Sequence, residues 1–210
     1  DGDPSSRLLS GGEHLDVPLV GFAPEPLATT ARRYVGLGFL HILPRGLDHV
    51  LFVLGLFLLA DRMRPLLLQV SAFTVAHTLT LGASLLGWVS LPASLVEPLI
   101  AASIVLVALE NVVVGRLTPW RPALVFLLGL LHGLGFAGVL LELGLPPGQR
   151  IAALLAFNVG VELGQLAVIG LAFALLGWAW KRPWYRDRIV VPGSLGIAAV
   201  GLYWTVTRLV

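Results

Sequence analysis

Runs of about twenty apolar residues, parted by short polar or proline-bearing joints, recur along most of this 210-residue chain, and that is the length a helix needs to cross a bilayer. Inside lipid every backbone N–H and C=O must be satisfied within the protein, which leaves only helices and closed barrels. Barrel strands alternate apolar and polar residues, and these runs do not, so the expected fold is all-α: a polytopic membrane helix bundle. Composition agrees, since 57% of residues are hydrophobic and 12% charged, with a mean hydropathy of +0.88, whereas soluble domains carry about 25% charge.

Hydropathy and its breakers place helices at roughly 34–60, 65–88, 93–115, 121–143, 150–179 and 189–209, which makes about six transmembrane helices. Pro44 and Gly46 predict a kinked or broken first helix. Residues 1–33 hold Pro4, Pro18, Pro24 and Pro26 and no apolar core, so they read as an extracytoplasmic N-terminal segment, the remnant of a larger domain, ahead of a transmembrane domain over 34–210. Joints after the first, third and fifth spans hold Arg62, Arg64, Arg116, Arg121, Lys181, Arg182, Arg186 and Arg188, while the other side holds Arg7, Arg32, Arg33, Arg150 and Arg208. That bias puts both termini outside the cytoplasm of an inner, plasma-type membrane. Trp88, Trp120, Trp178, Trp180 and Trp184 fall near helix ends, as interfacial anchors do. Gly129 with Gly133 and Gly160 with Gly164 are spaced to let helix backbones approach closely. The basic residues form no patch, so nucleic acid is not an expected partner; the bilayer is.

Within these spans lie His41, His49, His77 and His132. Ionisable groups at membrane depth cost a few kcal/mol unless they face the bundle interior and find partners, so a repeated set of them marks a functional site. Neutral imidazole and carboxylate are common ligands of divalent transition metals. The chain has no cysteine, which excludes thiolate sites and a cysteine nucleophile. On a continuous helix His41 and Asp48 share a face, with His49 further round. In the fifth span Asn158, Glu162 and Gln165 also share one face. Counting about 1.5 Å per residue, His49, His77, His132 and Glu162 come to similar depths, with Asp48 beside them and His41 and Asn158 nearer the outside. Glu97, Glu110 and Asn111 in the third span either flank a path or play structural parts, Glu97 as a cap and Glu110 as a partner of Arg116 or Arg121. The sixth span has no ionisable residue before Arg208 and is expected only to pack. Threonine in a membrane helix usually bonds its own preceding turn, so the threonines around His77 carry little weight.

His41 through the Asp48-His49 pair, Phe73 through His77, Leu131-His132-Gly133 and Phe157 through Gln165 resemble, in this order, the HupE/UreJ family of hydrogenase and urease accessory membrane proteins. The resemblance spans about 34–170. With one histidine in the fourth span and no proline directly after His41, the chain is more similar to the family's second branch. It implies uptake of nickel, sometimes cobalt, with His41, Asp48, His49, His77, His132 and Glu162 as metal residues. Asn158, Gln165, Glu97, Glu110 and Asn111 are then candidates for supporting the ligands or lining a path.

The expected function is therefore a permease for a divalent metal ion, nickel first and cobalt or zinc as alternatives. A metal-delivery protein or a second copy of the chain are candidate partners. The competing reading is a membrane-embedded zinc hydrolase built on the same cluster, with Asp48 or Glu162 as general base. A third is a structural or haem-binding subunit.

Overall fold

A computed structural model describes residues 26–136 and 148–210. Among these residues there are seven α-helices and no strand: α1 Leu27–Ile42, α2 Leu47–Leu59, α3 Met63–Leu85, α4 Ala93–Val113, α5 Arg121–Gly135, α6 Arg150–Leu176 and α7 Val191–Thr207, the last led in by a π-helical turn, Arg186–Val190. Four helical stretches are long and apolar enough to cross a membrane: α3, α4, α6 and Arg186–Thr207. The α1–α2 pair passes the same test together while bent by 72°, and α5 is a shorter apolar helix. The protein is thus a multi-pass helical membrane protein. The expected positions of all six spans coincide with helix, although α1 begins at Leu27 and residues 137–143 of the fourth span lie outside the described residues, as do residues 1–25.

In lipid, water gives no hydrophobic drive for helices to associate, so van der Waals contact and interhelical hydrogen bonds must do so. Leu68, Leu127, Leu171 and Tyr203 accordingly point outward, while Arg121, Asn111, Gln69 and three of the four membrane histidines are buried. Three helix pairs make the frame: α1 on α6, α3 on α5 and α4 on α7. Glycine permits the close approaches, as expected from the spacing. A Cβ on Gly38 would run into the carbonyl of Phe157, and one on Gly160 into that of Val35, so α1 and α6 touch backbone to backbone. On α5, a Cβ at Gly129 would lie 2.6 Å from the Phe73 carbonyl oxygen and one at Gly133 2.5 Å from that of His77. The short helix α2 sits among these pairs, touching α4, α6, α3 and α7, and Phe52, Leu56 and Phe57 on it are fully buried.

Candidate metal centre

The break between α1 and α2 builds the site. Leu43-Pro44-Arg45-Gly46 ends α1 one residue after His41 and starts α2 two residues before His49. Because proline cannot continue the helical ladder, the chain turns there, and the two imidazoles meet edge to face with ring centroids 4.7 Å apart. Gly46 lies so near the His41 carbonyl that a Cβ would collide with it. From α3, His77 joins the pair at 6.1 Å from His41 and 5.9 Å from His49, centroid to centroid. One nitrogen from each of the three rings lies within 4.8 Å of the other two. From α5, His132 stands beside His49 at 5.1 Å.

Hydrogen bonds fix two of these rings. Asn158 on α6 spends its amide N–H on the Leu154 carbonyl at 2.9 Å, so its oxygen faces His77 and accepts from Nδ1–H, also at 2.9 Å. His132 Nδ1–H donates to the Leu128 carbonyl at 2.9 Å. In both rings the proton sits on Nδ1, which leaves Nε2 with its lone pair free to ligate. Among the described residues the Nε2 atoms of His41, His49, His77 and His132 are all buried without a hydrogen-bond partner. Aromatic walls surround them: Phe73 packs edge-on to His49 and His132, and Phe136 with Phe157 stack beside His41.

A cavity of about 400 Å³ reaches His41, His49 and His132 from one end of the bundle, past Arg45, Asp48, Glu97 and Arg208. Asp48 lines it but does not join the histidines, because Arg208 at the end of α7 grips both carboxylate oxygens, at 3.0 and 3.1 Å. The final helix therefore does more than pack. Arg208 also donates to the Glu97 main-chain oxygen at 3.3 Å, and the Glu97 side chain is exposed at the mouth.

Glu162 also stands apart from the histidines. Its carboxylate accepts from Ser71 at 2.8 Å and from Thr74, and it lines a groove between α3 and α6 together with Thr78 and Asn158. Gln165 contacts the same Thr74 hydroxyl at 2.9 Å. Threonine thus matters here beyond its own helix, and the signal lay in Ser71 and Thr74, three apart on the face of α3 that meets α6. Depth counting along a straight first helix placed His41 outward and Asp48 and Glu162 with the histidines; the broken helix and these two sets of partners reverse that. Glu110 and Asn111 lie at the end of the bundle away from the cavity. There the fully buried Arg121 pairs with Glu110 at 2.9 Å and donates to Asn111 at 2.9 Å and Gln69 at 3.0 Å. Of the two partners expected for Glu110, Arg121 is the one it takes, inside the protein rather than at the interface.

Compared with known proteins, the chain matches the second of the family models described as HupE / UreJ protein over residues 20–208. No curated protein and no solved structure matches it. A family match over nearly the full length, on a helical membrane bundle whose buried histidines meet at a broken first helix, places the chain in the HupE/UreJ family.

Proposed function

We propose that the protein is a permease for a divalent transition-metal ion, nickel as the best fit, with His41, His49 and His77 receiving the ion and His132 positioned to take it over from His49. The supporting observation is a cluster of buried histidines with unpartnered Nε2 atoms, three of which bring one ring nitrogen each within 4.8 Å of the others beside a cavity that opens at one end. Imidazole suits nickel, copper and zinc, and the lack of any thiolate removes the ligand that would favour softer ions. Nitrogens bound to one metal at about 2.1 Å sit roughly 3–3.5 Å apart. Three rings whose nitrogens lie within 4.8 Å of one another must therefore draw together to ligate, and a carrier has to let the ion go again. At the mouth Asp48 and Glu97 are offset by Arg45 and Arg208, and Arg208 holds Asp48 back from the ligand set. With both termini outside, as the distribution of basic residues favours, the cavity faces the exterior of a plasma-type membrane.

A second reading, the zinc hydrolase, draws on the same three histidines, two of which, His41 and His49, line a cavity large enough for a small substrate. Proteoliposomes separate the two. The permease reading predicts nickel influx that falls at least tenfold in His49→Ala and His77→Ala; wild-type vesicles no more permeable than empty ones would overturn it.

A further inference from the structure

At the end of the bundle opposite the cavity, three oxygen acceptors from two helices surround one guanidinium group. They are the Glu110 carboxylate and the Asn111 amide oxygen on α4, and the Gln69 amide oxygen on α3, each 2.9–3.0 Å from a different guanidinium nitrogen of Arg121. The acceptors are themselves held in place. Asn111 donates to the Gly55 carbonyl at 2.8 Å and to Ser194 at 3.1 Å, and Gln69 donates to the Pro65 carbonyl at 3.0 Å, so each amide must aim its oxygen inward. All four side chains are buried.

This is a cation site whose cation is part of the chain. Arg121 is the first residue of α5, where the helix macrodipole opposes a positive charge, and its long side chain can reach the nearby membrane interface instead. Carboxylate and amide oxygens without nitrogen or sulfur suit hard or borderline divalent ions and bind nickel less tightly than imidazole does. Gln69 lies eight residues before His77 on α3, about 12 Å along the axis, so the position is a step beyond the histidines and away from the cavity. We infer that Glu110, Asn111 and Gln69 form a second, oxygen-lined divalent-cation site, occupied at rest by the Arg121 guanidinium and opened to the passing ion when that side chain swings out. The inference rests on the permease reading for the ion's arrival, but the site itself can be tested without transport.

The test uses the purified full chain in detergent, with Mg²⁺ as a probe that oxygen ligands accept and imidazole scarcely does. In Arg121→Gln the site is vacated. Millimolar Mg²⁺ should then raise the unfolding midpoint by a few degrees, and the Ni²⁺ stoichiometry should increase by one ion per chain relative to wild type. Glu110→Gln added to Arg121→Gln should abolish both effects, and wild type should show no Mg²⁺ response. An Arg121→Gln protein with no Mg²⁺ shift and wild-type Ni²⁺ stoichiometry would overturn the proposal. If Arg121→Gln is not recovered folded, Arg121→Met, similar in volume but uncharged, vacates the site as well. A Mg²⁺ shift in that variant, absent once Glu110→Gln is added, supports the site, and its absence refutes it. Should wild type bind no Ni²⁺ while Arg121→Gln responds to Mg²⁺, the histidine reading fails and the oxygen site stands.

Discussion

At His77 one ring nitrogen is held and the other left bare, and Asn158 decides which. Its amide is oriented by the Leu154 carbonyl, so it offers the ring only an acceptor. Replacing Asn158 by Ala removes that acceptor and lets the ring rotate or change tautomer. Loss of such an outer partner typically lowers metal affinity about 10–100-fold. Equilibrium dialysis of Asn158→Ala against Ni²⁺ should show a fall in that range with the fold retained; unchanged affinity would mean His77 does not ligate. In the sequence, Asn158 stands out only as one member of a polar face. Asp48 shows the opposite case. Adjacency to His49 suggested a ligand, but an arginine 160 positions away claims the carboxylate, and no local pattern announces a contact of that range.

Among the elements, the spans were readable because bilayer thickness and backbone satisfaction leave helices little freedom of length. The break in the first span was readable too, from Pro44 and Gly46, though its 72° angle was not. Rotation of each helix about its axis was not readable. That rotation turns Glu162 toward Ser71 and Thr74, a turn along the bundle from the level where Asn158 meets His77. The approach of α5 to α3 fixes how far His132 stands from His49 and His77, and Gly133 sets it. Adding one methyl there forces the helices apart or strains them, a change of about 1–3 kcal/mol. Thermal unfolding of Gly133→Ala should show that loss of stability together with weaker Ni²⁺ binding. Gly196, on α7, has open space around its position, and alanine there should leave Ni²⁺ binding unchanged and cost no stability.

For the whole molecule, the pieces fall into a sequence along the bundle. A mouth with the Asp48–Arg208 pair leads to a cavity, the histidines follow, then a packed layer with Phe52 and Phe73, and beyond it the Arg121 network. The Asp48–Arg208 pair is a quarter exposed on each side and is worth at most about 1 kcal/mol, so it organises the mouth more than it stabilises the fold. The buried Arg121–Glu110 pair is different in kind, since removing one partner of such a pair typically costs about 3–5 kcal/mol. On the permease reading, the histidines brought together by the broken helix hold the ion. X-ray absorption at the nickel edge of the metal-loaded protein tests it most directly. Three imidazole nitrogens at about 2.0–2.1 Å are expected, with that signature lost in His49→Ala; an all-oxygen shell, or a spectrum unchanged by the substitution, would rule the histidine site out.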